Sequence, residues 1–128
     1  KFSTRLTAFF NDERLSPGDL SIVCLGDSST FIEQLRETSE RAIRKRIRNL
    51  SDTDHSNWPP TSHALICTPK QIKGLENKAV LVVAHPDLGL SGVTLEELYV
   101  SFTRPTSLLW IMTGNQLKDE LRARLKQS

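Results

Sequence analysis

The most regular feature of the sequence is a set of four short apolar runs, separated by longer amphipathic or polar stretches. The runs are Leu20–Leu25, Ala64–Cys67, Ala79–Ala84 and Leu108–Met112. Nearly continuous apolar runs of this length are typical of strands that are covered on both faces, as in a parallel sheet. The pattern therefore predicts four buried strands.

The stretches beside these runs have the spacing of helices. We expect helices over residues 3–15, over residues 30–50, from Thr94 onward and from Asn115 onward. Thr94 is followed three residues later by a glutamate, which is the pattern of a capped helix start. The inward face of that helix is predicted to carry Leu95, Leu98, Tyr99 and Phe102. Strands that alternate with helices predict an α/β layered fold.

Composition fits one globular domain over residues 1–128. The chain has 38% hydrophobic and 25% charged residues and a formal net charge of +2, which is too small to indicate nucleic-acid binding by itself. No apolar stretch is long enough to span a bilayer, so we expect no membrane partner and an intracellular, cytoplasmic location. Cys24 and Cys67 both lie inside apolar runs, which favours buried thiols in a reducing compartment over a disulfide or a metal site.

Two features between residues 41 and 62 have alternative interpretations. The second half of the expected 30–50 helix is basic, either as a nucleic-acid or partner surface or as a solvated face. The polar loop over 51–62 contains Trp58, which is either a base-stacking platform or an aromatic side chain packed on the core. His55 lies within this loop and His63 follows it, without the cysteine or carboxylate spacing of a metal site.

Two polar segments adjoin the last two predicted strands and carry the candidate chemistry. Thr68–Glu76 precedes the third apolar run, and Tyr99–Arg104 precedes the fourth. Glycine lets a backbone approach a ligand closely, and a carboxylate can accept hydrogen bonds from sugar hydroxyls. A guanidinium is always charged and matches phosphate oxygens in a bidentate manner. Loops around the strand ends of α/β proteins are where ligands bind, so both segments are candidate sites.

Together these segments resemble motifs V and VI of UvrD/Rep-type superfamily 1 DNA helicases. The matching residues are Lys73-Gly-Leu-Glu76 after a threonine, and Tyr99-Val-x-x-Thr-Arg104, each placed before an apolar run. In that family both motifs belong to the second RecA-like domain of the motor. The resemblance implies a three-layer RecA-like, P-loop NTPase-like domain with a mainly parallel sheet, as a fragment of a larger protein.

The resemblance also implies roles for individual residues. Gly74 and Glu76 would face the nucleotide, and Arg104 would be the catalytic arginine that reaches the γ-phosphate across a cleft. Thr68 and Lys70 would contact single-stranded DNA. The sequence departs from the family at three positions: Lys70 replaces a usual histidine, Asn77 a frequent aromatic residue and Pro105 a usual alanine. Proline after Arg104 predicts that the helix ends there with Arg104 in extended backbone conformation.

The implied cofactors are ATP and Mg²⁺, and the implied partners are single-stranded DNA and the other RecA-like domain. The sequence contains no G-x-x-x-x-G-K-[ST] and no acidic Mg²⁺-binding strand motif. We therefore expect no ATP hydrolysis by this chain alone, and the second motor domain of an ATP-dependent DNA helicase as its function. Two alternatives are a catalytically inactive, helicase-derived module that binds nucleic acid or protein, and an unrelated flavodoxin-like nucleotide-binding domain.

Overall fold

The computed structural model describes residues 2–11, 16–26, 29–38, 45–50, 63–85, 88–89 and 93–127. Within these residues all paired strands run parallel in one five-stranded sheet of order β2-β3-β1-β4-β5. The strands are β1 (Leu20–Cys24), β2 (Ile47–Asn49), β3 (Ala64–Cys67), β4 (Asn77–Val83) and β5 (Pro105–Met112). The predicted α/β class, with a parallel sheet flanked by helices as in a RecA-like domain, is confirmed.

Helices cover both faces of the sheet and produce three layers. They are α1 (Phe2–Phe10), α2 (Ser29–Thr38), α3 (Pro69–Ile72), α4 (Leu95–Thr103) and α5 (Asn115–Gln127), and a 3₁₀ turn over Pro17–Asp19 precedes β1. Apolar side chains of α1 and α2 join one buried core, and those of α3, α4 and α5 join the other. Among the described residues, no helix has the length and apolar character needed to cross a membrane.

The two cysteines are buried on opposite faces of the sheet. Cys24 belongs to the core on the α1–α2 face and Cys67 to the core on the α3–α5 face, and both are free thiols. Burial raises the pKa of the Cys24 thiol to about 12. The pKa of Cys67 is also raised, chiefly by burial and secondarily by Cys24. The expectation of buried thiols without a disulfide is confirmed, because side chains on opposite faces cannot meet.

The predicted helix over residues 30–50 is wrong over residues 45–50, and residues 39–44 lie outside the described ones. Helix α2 covers Ser29–Thr38, and Ile47–Asn49 is a strand that pairs with β3. Ile47 is buried and Arg48 is exposed, which is the alternation of a strand beside a core. The apolar spacing of these residues also suits a helix, and only the pairing with β3 makes them a strand. The described residues therefore form a sheet of five strands and not four.

This correction also covers three residues of the predicted basic helix face. Lys45 and Arg46 lie in a turn before β2, and Arg48 lies within it. The other two arginines of that predicted face lie outside the described residues, as does the whole 51–62 loop with Trp58 and His55. The choice between a base-stacking and a core role for Trp58 therefore stays a prediction.

Candidate functional site

The amino ends of β4 and β5 bring the two motif-like segments together. Glu76 immediately precedes β4, and Arg104 immediately precedes β5. The first residues of the two strands, Asn77 and Pro105, are register partners. The backbone amide of Asn77 donates a hydrogen bond to the Arg104 carbonyl oxygen at 3.1 Å. Residues 28 positions apart in the sequence thus flank one point on the edge of the sheet.

Arg104 ends helix α4, with part of its guanidinium buried and unsatisfied. Its Nη2 donates to the Thr103 hydroxyl at 3.2 Å, whereas the buried Nε has no hydrogen-bond partner in the described part of the chain. The predicted helix end is confirmed. The predicted extended conformation is wrong, since Arg104 keeps right-handed helical angles of φ −78° and ψ −29°. The hydrogen bond from Asn77 holds its carbonyl group and outweighs the preference imposed by Pro105.

Gly74 lies in an open turn between α3 and β4. Its φ of +87° is in the left-handed region, which glycine adopts without strain. A Cβ atom built there would meet no neighbouring heavy atom within 4 Å, so the backbone of Gly74 is open to approach from outside. Glu76, two residues later, is exposed. Both residues predicted to face a nucleotide are therefore accessible and lie near the start of β4.

A surface ion pair joins this turn to the next helix. The Lys73 ammonium donates to Oε1 of Glu96 at 2.9 Å, which joins the end of α3 to the first turn of α4. The hydrogen bond and charge of Lys73 lower the pKa of the Glu96 carboxyl. Both side chains are largely exposed, and pairs of this kind contribute little to stability. Lys73 is a motif residue to which the resemblance assigns no role, and here its ammonium pairs with Glu96.

Thr68 and Lys70 lie at the other end of the strands, just after the carboxyl end of β3. Thr68 is only 7% exposed, and its hydroxyl oxygen accepts a hydrogen bond from the Gln71 amide at 3.3 Å. The Gln71 side chain accepts one from the Thr68 amide at 2.9 Å, completing a capping box for α3. Thr68 is thus a buried helix cap, while Lys70 is exposed, and the DNA contacts of both residues stay predictions.

The surroundings of Lys70 are mixed in charge. A cavity of about 400 Å³ between α3 and the start of α4 is lined by Pro69, Lys70, Lys73, Thr94, Glu96, Glu97 and Val100. One carboxylate oxygen of Glu97 is buried without a hydrogen-bond partner in the described ranges. Two carboxylates therefore share this cavity with two lysines, and it lacks the uniformly positive field that attracts phosphate.

Asn77 is a structural residue, although the resemblance marks it only as a departure from a motif. It is 4% exposed, and its side-chain amide donates to the Gly18 carbonyl oxygen and to the Ser21 hydroxyl, both at 3.0 Å. Its side-chain oxygen accepts from the Lys78 amide at 2.8 Å. These bonds attach the start of β4 to β1 and to the turn before it. The available signal was an amide at the head of a buried run, where a polar group requires partners.

The topology marks another edge of the sheet for ligands. From β1 the chain passes to β2, on the side of the sheet where β3 lies, and from β4 it passes to β5 on the other side, so the connections diverge between β1 and β4. In open parallel sheets ligands bind outside the carboxyl ends of the strands at such a point. Gly26, with φ +89°, follows β1 there. Gly74, Glu76 and Arg104 instead lie toward the amino ends of β4 and β5.

Comparison with models of known protein families gives no match, and comparison with curated proteins gives none either. The helicase resemblance therefore depends on the two short segments that meet between β4 and β5. Among the described residues, no group of three or more histidine, cysteine, aspartate or glutamate side chains is arranged to hold a metal ion.

Proposed function

We propose that this chain is the second motor domain of an ATP-dependent DNA helicase or translocase of the UvrD/Rep type. One observation carries the proposal: two segments that resemble separate motifs converge, with Glu76 and Arg104 directly before paired parallel strands. Convergence of a glycine–glutamate turn and an arginine is what a nucleotide-facing edge requires. The parallel three-layer fold supports the same function.

The residues at this edge fit a polyphosphate. Arg104 has a buried Nε without a partner in the described chain, and phosphate oxygens accept hydrogen bonds from the guanidinium fork. The open backbone at Gly74 permits close approach, and the exposed carboxylate of Glu76 is suited to ribose hydroxyls. Bound ATP supplies the phosphoryl group whose developing charge an arginine stabilises.

Other parts of the reaction belong to the partner domain in this proposal. The sequence lacks a P-loop, and the described residues offer no metal-binding cluster, so the ligands of Mg²⁺ and the phosphate cradle would come from the first RecA-like domain. This chain would contribute Arg104 to the cleft. The exposed Lys70 ammonium would contact a DNA phosphate as a point charge.

The alternative of an inactive binding module is favoured by one observation at the other edge. Thr68 is buried as a helix cap, and two glutamates line the cavity beside Lys70. A surface of that kind suits a protein partner better than a DNA backbone. The two functions differ in whether nucleotide contacts the amino edge of β4 and β5.

Titration of the ¹⁵N-labelled 128-residue chain with ATP and Mg²⁺, followed by NMR, tests the proposal. We expect weak binding with shifts confined to Gly74–Asn77 and to the Arg104 backbone and Nε–H signals. Arg104→Ala should abolish these shifts, and the control Arg122→Ala, at an exposed position on α5, should keep them. Shifts around Gly26 and His85 would instead indicate a flavodoxin-like site, and no shifts at millimolar ATP would favour the binding module.

A further inference from the structure

An open apolar groove lies between α4, β5 and α5. It has a volume of about 780 Å³, and its apolar walls are Leu98, Tyr99, Phe102, Ile111, Met112 and Leu121. Tyr99 was predicted to face the interior, but it is 68% exposed. Leu98 and Phe102, which lie one residue before it and three after, hold α4 against the core and leave the tyrosine ring at the surface. The groove is therefore an apolar surface and not an internal cavity.

Strand β5 has the composition of a buried strand without the burial. Leu109 and Ile111 are in register with Val80 and Val82 of β4, on the face that α4 and α5 cover. The two valines are fully buried, whereas Ile111 is 46% exposed and Leu109 nearly as much. Apolar side chains on a sheet face that remain exposed next to a groove mark an interaction surface.

The outer edge of β5 also has no partner strand within the described part of the chain. β5 is the last strand in the sheet order, and none of the described residues pairs with its free side. Its eight residues present a row of backbone donors and acceptors along that side. Such an edge is a template for an added strand. A free backbone edge and an apolar groove are thus adjacent along the same element.

Among the described residues, the charged side chains at the groove are all of one sign. Lys118 and Arg122 lie four residues apart on α5, both exposed and both lining the groove, and no carboxylate of a described residue lines it. Neither makes an ion pair with a residue that the structure describes. Like charges at this spacing repel one another, so an anionic group between them would be stabilised. The occupant that complements this surface is therefore apolar and acidic.

We propose that this groove binds an extended acidic segment of a partner protein, which adds a strand to the free edge of β5. Every second side chain of the added strand would face the groove: apolar ones would lie beside Tyr99 and Ile111, and acidic ones on that same face would meet Lys118 and Arg122. Backbone hydrogen bonds to β5 provide the affinity and the pockets provide the selectivity in this mode of recognition. The inference does not depend on the proposed helicase function, because it involves neither Glu76 nor Arg104.

The test uses a fluorescent peptide as long as β5, eight residues, whose alternate positions carry leucines and glutamates on one face, with threonine at the positions between them. Binding to the 128-residue chain is followed by fluorescence anisotropy at two salt concentrations. We expect saturable binding that weakens with salt, and binding about tenfold weaker or more when lysine replaces every glutamate of the peptide. Equal binding of both peptides would overturn the acidic character of the occupant.

Charge-reversal variants locate the site. Lys118→Glu combined with Arg122→Glu should weaken binding of the acidic peptide by about tenfold or more. The control pair Lys45→Glu with Arg48→Glu makes the same change in net charge at exposed positions in or just before β2, the outermost strand on the side away from β5. It should leave binding unchanged. Equal losses in both pairs would show a nonspecific charge effect and overturn the site.

Two further measurements decide how the segment binds. Hydrogen exchange of the β5 amides should slow when the acidic peptide is present, because an added strand protects the free edge. Peptide binding without that protection would indicate a helix or another mode and reject the added strand.

Ile111→Lys should abolish peptide binding while the thermal unfolding midpoint is kept. If the chain forms dimers that Ile111→Lys separates, the occupant is a second copy and the proposal is wrong.

Discussion

The backbone amide of Asn77 donates a hydrogen bond to the Arg104 carbonyl oxygen at 3.1 Å. This bond begins the pairing of β4 with β5, and it places Glu76 and Arg104 next to each other at one edge of the sheet. The side chain of the same asparagine is bound to Gly18 and Ser21. One buried residue therefore connects the core around β1 to the edge that carries the candidate nucleotide contacts.

The first prediction concerns the stability that Asn77 provides. Asn77→Ala removes the donor to the Gly18 carbonyl and to the Ser21 hydroxyl, leaving two buried polar groups without it. The free energy of unfolding should fall by about 2 kcal/mol or more, since an unsatisfied buried group costs roughly 1–3 kcal/mol. Urea denaturation measures the change, and the exposed neighbour provides the control Lys78→Ala, which should change it little. Equal stability of both variants would mean that water replaces the asparagine amide.

The second prediction concerns catalysis by Arg104 in a protein that also contains the first motor domain. Arg104→Ala should lower ATP turnover by about 10³ or more, the effect of removing an arginine that stabilises phosphoryl transfer. The melting temperature should change little, because the guanidinium makes only one hydrogen bond among the described residues. Arg104→Lys should restore little turnover, since lysine lacks the planar fork. Normal turnover in Arg104→Ala would remove the catalytic role, and an unfolded variant would make Arg104 structural.

The third prediction concerns DNA. If Lys70 contacts a phosphate, the 128-residue chain should bind single-stranded DNA weakly, with affinity that falls steeply as salt rises. Lys70→Ala should weaken binding and reduce the slope of the logarithm of affinity against the logarithm of salt concentration by about one, the value for one lost phosphate contact. Lys78→Ala, at another exposed lysine, should change neither. Anisotropy titrations of a labelled oligonucleotide at several salt concentrations measure both effects. An unchanged slope in Lys70→Ala would support the view that Glu96 and Glu97 disfavour phosphate at this cavity.

The fourth prediction concerns the cysteines and alkaline pH. Burial raises the folded-state pKa of Cys24 to about 12, above the value of about 8.5 for an exposed thiol. Below the unfolded pKa both states hold the proton and the full contribution to stability is present. As pH rises from about 8.5 toward 12, the unfolded thiol ionises and stability is lost. Wild type should therefore lose more stability over this interval than Cys24→Ser, as measured by denaturation at each pH.

Thiol labelling checks the same burial directly. Alkylation of Cys24 and Cys67 should be far slower in the native chain than in denatured chain at the same pH, because both thiols are buried and protonated. Rapid labelling of either cysteine without unfolding would contradict its position in the core.

The sequence by itself determined the parts of the fold that depend on local composition. β1, β3 and β4 follow from continuous apolar runs, because only a strand covered on both faces buries every residue. Thr94 caps α4 as predicted, its hydroxyl oxygen accepting from the Glu97 amide at 3.0 Å, since a cap depends on residues within one turn. The helix end before Pro105 was predictable for the same local reason.

The tertiary structure decided whatever depends on a distant partner. Ile47–Asn49 became a strand because β3 pairs with it, although the same residues suit a helix face. Tyr99 is exposed because Leu98 and Phe102 occupy the core positions of α4. Asn77 is buried because Gly18 and Ser21 satisfy its amide. Glu76 and Arg104 adjoin because β4 and β5 are parallel neighbours, a pairing that no local pattern specifies since its hydrogen bonds join residues far apart in the chain.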